Sequence, residues 1–569
     1  MLGALAVGPT VVAACLIVTI KVGVSLGVGL VPSAWASIAT IIVLLVAAFA
    51  SNAGSQFLPR RPSLPETLVL LGLLVLLVLL WDQAADRSLV WPHLYGVDQA
   101  HHGSLVTWIV DERRLPTPDP RIGGLGSYPI GVHLIAAVTA IASGTTPITA
   151  MWWTAVGVIV AQVFAIVWLV RICSPRRSLM GAPIALAVWL AAWQFGVGSL
   201  SASFFFSQAL GVTFCLVGVG MAVLGSSGTA RRRWLPAAIV LAVASAWTYP
   251  QHALTIPACV GVVLVLQAHQ WFKVLEPTKR KFIGIAMVLV TAAAVLLAWS
   301  ASRNSPYLTR GAFFGNGEGA LPALSIGNIG GTLVAALMTL GVAELAVGAR
   351  RRREPLVLLI AIFSAVGLGA LLAVGRALGW GVTQYRITKN AYLAMPLLAV
   401  GVGVLVAISG QSLIAVRLRP SPDPTNRMRW LRRTDVGGVG VGVGLMVVVA
   451  LSRGPLRLSS EPVMDRDSYR LARVAAKKYN PEDIGVAGEG LGPYVIWWTG
   501  LRRNVPVGTA IVAPRMEVWR EWPKGNRPER YLVVDSTVFN DYASRTGVRV
   551  LARFGTAALL ERESAAPLP

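Results

Sequence analysis

Charge is what this chain has least of. Of its 569 residues only 13% are charged and only 26 are acidic, about half the charged share of an ordinary soluble domain, while 55% are hydrophobic. That deficit excludes a soluble multidomain enzyme. Cysteine is scarcer still, at four residues. Cys15, Cys215 and Cys259 lie within apolar runs and Cys173 in a basic link, so neither a disulfide framework nor a cysteine metal site is indicated. A repeat with a period of about 20–50 residues is missing too. The glycine-rich stretch 437–444 lacks the following Gly-Lys-Ser/Thr that would make it a phosphate loop, and reads instead as a helix face.

What the chain does have is a succession of apolar runs, among them 67–81, 151–170, 282–300 and 390–409, the last three near the roughly 20 residues that a bilayer crossing takes. This pattern defines a polytopic helical membrane protein. The net charge of +24 would suit nucleic acid, but its placement argues against that partner. Arg60/Arg61, Arg176/Arg177, the arginines of 231–233, the basic run 279–281 and those of 350–353 and 427–433 all sit in short links between apolar runs, where cytoplasmic loops carry their cations. Pinning those links inside predicts about 13 spans, near 5–30, 34–51, 66–81, 149–170, 180–198, 206–225, 235–249, 252–268, 282–300, 327–347, 356–375, 387–409 and 436–452. The N-terminus is then cytoplasmic and the C-terminus outside. No cation precedes Lys21, so 5–30 reads as a span, although Ala34-Trp35-Ala36 leaves a cleaved signal open.

One apolar run breaks the alternation. If 128–143 crossed, every later basic link would fall on the wrong side, and at about 24 Å of helix it is short for a core of about 30 Å. It is expected to lie in or against the outer leaflet. The predicted fold class is therefore an all-α polytopic membrane domain over 1–452, with 82–148 as its first large outside loop, followed by a small extracytoplasmic α/β domain over 453–569. In that tail, 467–478 has the pattern of an amphipathic helix, and Ile484–Ala487, 494–498, 531–535 and Val548–Phe554 have the pattern of short strands between Gly, Pro and Asn turns.

Candidate chemistry concentrates outside. The loop 82–128 holds Asp82, Asp86, Asp98, Asp111, Glu112 and Asp119, nearly half the acids outside the tail. Asp98 opens a short surface helix, where a carboxylate can take a proton from a hydroxyl within about 3 Å; the plainer reading is a helix cap. Histidines cluster on the same side: His93, His101, His102, His133 and His252, against only His269 inside. Imidazoles there can donate to phosphate, and their plainer reading is as interfacial side chains with polar tips. Their spacing matches no trusted zinc pattern. Arg303, Arg310, Arg376, Arg386 and Lys389 put positive charge where the topology rule disfavours it. A lipid phosphate accounts for them, with Tyr307, Gln384 and Tyr385 as neutral donors; snorkelling at span ends is the alternative. Tyr249-Pro250-Gln251-His252 makes a tight outside turn that either shapes the chain or lines a cavity mouth. Phe204, Phe205, Phe206, Trp497 and Trp498 read as packing or interfacial aromatics.

Several of these features occur together in one family. Asp98-Gln99-Ala100-His101-His102 opening a surface helix, then Leu115-Pro116-Thr117-Pro118, then Tyr128-Pro129-Ile130-Gly131 opening a second, resembles the first periplasmic loop of GT-C superfamily glycosyltransferases. Those polytopic enzymes take sugars from polyprenyl-phosphate carriers, and they include the arabinofuranosyl- and mannosyltransferases of actinobacterial cell-wall biogenesis. The overall plan resembles the arabinofuranosyltransferases that begin arabinan on galactan. The chain departs from that pattern with Asp98-Gln99 in place of Asp-Glu or Asp-Asp, and with Tyr-Pro-Ile-Gly in place of Tyr-Pro-Pro-Gly.

The resemblance implies a bacterial plasma-membrane transferase with Asp98 as general base of an inverting reaction. Its donor would be a polyprenyl-phosphate-linked sugar and its acceptor a cell-envelope glycan or glycolipid. Arg303, Arg310, Arg386, Lys389, His101 and His252 would hold the donor phosphate, and His102, Tyr128, His133, Tyr249 and Tyr385 would line the acceptor cavity. No cofactor is firmly implied, and a divalent metal is left open. Two readings of other classes stand beside it: a transporter or flippase for a lipid-linked glycan, and an inactive scaffold for envelope synthesis. A transporter is expected to carry ionisable residues within its spans, where only Lys21 and Glu344 qualify.

Overall fold

The computed structural model describes residues 2–50, 62–84, 97–117, 128–192, 206–227, 234–272, 329–350, 352–378, 384–417, 424–452, 466–480, 483–487, 530–534 and 539–563. Helices dominate them, and most of the longer ones are apolar through their middle, as membrane segments are. In chain order they are α1 (Leu2–Ser25), α2 (Leu30–Ala50), α3 (Leu64–Ala84), α4 (Val97–Glu112), α5 (Gly131–Ser143), α6 (Pro147–Cys173), α7 (Ala182–Ala191), α8 (Phe206–Ser226) and α9 (Trp234–Thr248). They continue as α10 (Thr255–Phe272), α11 (Ile329–Ala349), α12 (Arg353–Ala377), α13 (Gln384–Arg417) and α14 (Pro424–Ser452).

Among the described residues, six stretches, Leu2–Ser25, Pro147–Cys173, Phe206–Ser226, Pro250–Gln267, Arg353–Ala377 and Lys389–Ser412, are long and apolar enough to cross a membrane. Every expected span that falls on described residues overlaps a helix; the span at 282–300 lies outside them. Several boundaries differ. The span expected over 180–198 is met by α7, which ends at Ala191 with Ala192 out of helical conformation, the one expected to end at residue 409 runs on to Arg417, and the one expected to start at residue 436 begins at Pro424. The first span was expected to run to residue 30, but α1 ends at Ser25 because Gly27 takes φ 84°, a left-handed conformation that glycine adopts freely. The next helix accordingly begins at Leu30.

Helix α8 is central. It is buried almost throughout and packs against α6, α9, α10 and α12. Around it, α13 packs on α7, α11 and α12, while α14 lies against α3 and α7.

Three polar contacts fix which helix ends share a face. Glu66, at the start of α3, pairs with Arg171 in the last turn of α6 at 2.5 Å. Ser178 donates to Asp435 on α14 at 2.5 Å, and Gln411 on α13 donates to the Pro175 carbonyl at 3.0 Å. The start of the third span and the end of α6 thus meet on one face, as they must if 128–143 does not cross alone. That segment becomes α5, which packs on α4 and α6 and buries Gly131, Val132, His133 and Leu134 at its start.

The C-terminal tail adds α15 (Arg466–Lys478), α16 (Phe539–Ala543) and a four-stranded sheet of order β1-β2-β4-β3, with β1 (Ile484–Ala487), β2 (Tyr531–Val534), β3 (Val548–Phe554) and β4 (Ala557–Arg562). β1 and β2 are parallel; β4 is antiparallel to both of its neighbours. Leu471, Ala472 and Ala475 of α15 cover one face against Ile484, Tyr531, Val533 and Leu559, while Leu532, Val534 and Leu560 cover the other with Tyr542 of α16. Strand β4, which sequence pattern did not reveal, is the sheet's second central strand. The expected strand at 494–498 lies outside the described residues.

Candidate functional site

The N-terminal turn of α8 carries two polar clusters, one on either side. On the first side, α4 and α5 bring His102 and His133 together. His102 Nδ1 lies 2.7 Å from His133 Nε2, and both rings are buried. At that separation one ring nitrogen donates and the other accepts, so the pair carries at most one positive charge. Burial lowers the His133 pKa and keeps its imidazole neutral. Its Nδ1 faces the Pro129 and Ile130 carbonyls without a hydrogen bond of good geometry.

Tyr128 stands edge-on to both imidazoles, with ring centroids at 5.5 and 5.8 Å, and Phe206 closes the cluster from α8 at 5.9 and 5.8 Å. The chain reaches this arrangement because α5 starts against the end of α9. A Cβ at Gly131 would collide with Thr248, backbone included, so no larger residue fits there.

On the second side, the Tyr249–His252 turn and the start of α13 meet α8. Gln208 donates to the Lys389 carbonyl at 2.7 Å. Lys389 is only 4% exposed, with Nζ 5.9 Å from the centre of the Tyr392 ring. Long cationic side chains are almost never that buried without a reason. His252, 1% exposed, stacks at a tilt on Tyr249 with centroids 4.7 Å apart, and faces Lys389. The turn is a single 3-10 turn over Pro250–His252, and the His252 carbonyl accepts from the Cys215 thiol at 3.2 Å. Neither ring nitrogen of His252 has a hydrogen-bond partner among the described residues, and the same holds for Gln208 Oε1, Thr248 Oγ1 and Asn390 Oδ1. Such a concentration of unsatisfied buried polar atoms in one place is what a site prepared for a polar ligand leaves behind.

Of the expected site residues, the fold brings together His102, His133 and Tyr128 in the first cluster, and Tyr249, His252 and Lys389 in the second. Asp98 lies in the first turn of α4, one turn before His102. The helix begins at Val97, so Asp98 is inside it and not the residue before it. The side chains of Asp98, His101, Tyr385 and Arg386 lie outside the described residues, as do Arg303 and Arg310 altogether. Phe206, expected only to pack, borders both imidazoles of the first cluster. Gln208 and Asn390 were not anticipated, since each lies in an apolar run with no local motif around it. Among the described residues no three metal-ligating side chains converge.

No family model matches this sequence, and no curated protein does either. Among solved structures, ArnT from Cupriavidus metallidurans bound to undecaprenyl phosphate is 14% identical, with 87% of this chain and 98% of that one covered and a TM-score of 0.46. The apo state of ArnT gives 16% identity, 87% and 97% coverage and a TM-score of 0.45. The apo Archaeoglobus fulgidus oligosaccharyltransferase gives 13% identity, 83% and 70% coverage and a TM-score of 0.41.

Proposed function

We propose that this chain is a GT-C-type membrane glycosyltransferase. It transfers a sugar, arabinofuranose or mannose, from a polyprenyl-phosphate carrier to a cell-envelope glycan or glycolipid on the outer face of the membrane. The observation that supports this best is the convergence at the start of α8: the loop helix that carries Asp98 is anchored through the His102–His133 contact, while a buried lysine, Lys389, stands on the opposite side of the same turn. A proton acceptor on one side and a cation on the other is the arrangement that phosphate displacement by a hydroxyl requires.

In the reaction, the Asp98 carboxylate takes the proton of the acceptor hydroxyl as that oxygen attacks the anomeric carbon. The bond from that carbon to the phosphate oxygen breaks from the opposite face, so the configuration inverts and the polyprenyl phosphate leaves with the electron pair. Lys389, with Arg303, Arg310 and Arg386, offsets the charge gathering on the leaving phosphate. His101 and His252 assist as donors, and Tyr128, His102, His133, Tyr249 and Tyr385 shape the acceptor side. The N-terminus is cytoplasmic and the tail extracytoplasmic, where it holds the glycan acceptor or docks on the membrane domain.

Purified protein in vesicles, supplied with radiolabelled polyprenyl-phosphoryl sugar and an envelope glycan extract, tests this reading. Label transferred to the glycan supports it. Movement of the lipid across the bilayer without transfer would mark a flippase, and neither activity would mark a scaffold.

A further inference from the structure

At the opposite end of α8 from the paired clusters lies a second polar feature that the proposed reaction does not use. A cavity of about 230 Å³ opens between the ends of α6, α8 and α12, lined by Ser174, Arg176, Arg177, Arg352, Glu354 and Val223 among others. Helix α8 has 21 residues, about 30 Å of rise, so the cavity and the clusters are separated by roughly the thickness of a bilayer core. The cavity therefore sits at the level of the other leaflet's head groups.

Its lining selects for an anion. Three arginines and one glutamate line it, and that glutamate, Glu354, is 3.6 Å from Arg352. Arg176 and Arg177 have no ion-pair partner among the described residues, and both hold left-handed backbone conformations, φ 51° and 56°. Arginine seldom adopts that region without support from its surroundings. Ser174 supplies an independent sign. It is 1% exposed, its N–H donates to the Val170 carbonyl and its carbonyl accepts from the Arg177 N–H, and its Oγ is buried with no hydrogen-bond partner among the described residues. A hydroxyl donor with no acceptor, at the base of a cavity rimmed by arginines, fits a phosphate oxygen.

We propose that this cavity binds a phosphate group: the Ser174 hydroxyl and the guanidinium groups of Arg176, Arg177 and Arg352 hold the phosphate of an anionic phospholipid or a soluble phosphate. The site is independent of the glycosyltransferase reading, since it lies at the other face and involves none of the residues assigned to transfer.

Native mass spectrometry of the full chain released from detergent tests it with two probes, phosphatidylglycerol and inorganic phosphate, with phosphatidylcholine, zwitterionic and of no net charge, as the reference. Saturable retention of one equivalent of phosphatidylglycerol over phosphatidylcholine assigns a lipid head group, and retention of inorganic phosphate alone assigns a soluble ligand. The double variant R176Q/R352Q is expected to weaken retention about tenfold or more. S174A, too small a change to threaten folding, is expected to weaken it severalfold, while Arg545→Gln in the tail leaves it unchanged. Absence of saturable retention of both probes, or S174A and R176Q/R352Q variants that retain them as the parent does, would overturn the proposal.

Discussion

Arg473, on α15 of the C-terminal tail, grips Asp111 in the last turn of α4 with both terminal guanidinium nitrogens, at 2.7 and 2.9 Å. The two residues are 362 positions apart, and the contact ties the tail to the loop helix that begins near Asp98. The pair is only partly buried, with side chains 18% and 39% exposed, so it is worth at most about 1 kcal/mol even with two-pronged geometry. Arg473→Ala is therefore expected to leave the fold intact and raise hydrogen exchange at the C-terminal end of α4 and across α15. Unchanged exchange in both helices would mean that the contact does not hold the tail in place.

The His102–His133 pair predicts non-additive stability. His102→Ala alone leaves a buried His133 nitrogen without its partner, at a cost of about 1–3 kcal/mol beyond lost packing. Removing both rings removes that penalty. Thermal unfolding in detergent should show the double alanine variant costing less than the sum of the singles. Strict additivity would show that the two nitrogens do not share a hydrogen bond.

Lys389 is expected to act on the donor. Lys389→Met keeps the length of the buried stem and removes the charge, so apparent affinity for the polyprenyl-phosphoryl donor should fall by about 10- to 150-fold, the equivalent of about 1.5–3 kcal/mol, with the acceptor's little altered. Arg386→Ala, Arg303→Ala and Arg310→Ala are expected to follow the same direction. Normal donor use by all four variants would place the phosphate elsewhere.

Much of this architecture was legible in advance because apolar length and basic links report on the bilayer, a solvent with few solutions. The helix boundaries of α8 and α9 follow closely from that pattern. The expectation that 128–143 does not cross rests on charge parity, and a shared face for Glu66 and Arg171 is consistent with it. What stayed hidden depends on partners distant in sequence. Gln208 has meaning only once α13 brings Lys389 against α8, 181 residues away. Strand β4 opens on Ala557-Ala558 and ends in Glu561-Arg562, poor strand formers and a polar finish that mask it. Its carboxylate is nonetheless nearly buried, paired with Arg530 at 2.8 Å and with Arg549. Lys389 itself was expected among outward-facing cations; its burial comes from packing that no local pattern encodes.

The topology has its own test. Single cysteines at Ser127, Gly144 and Ser544, in a background lacking the four natural ones, should all react with an impermeant thiol reagent added outside intact cells. Protection of Gly144 alone would mean that α5 crosses. Protection of Ser544 would put the tail inside.

Asp98→Asn is the most direct measurement of the catalytic assignment, because helix-end stabilisation and base catalysis differ in size. In the first turn the change costs at most about 1 kcal/mol of helix-dipole interaction, so a purely structural role predicts sugar transfer near the parent rate. A general base cannot be replaced by an amide, so the account predicts a loss of about 100-fold or more in transfer, with thermal stability and donor binding retained and with Asp111→Asn and Glu112→Gln nearly silent. An Asp98→Asn protein that transfers sugar at the parent rate would contradict it.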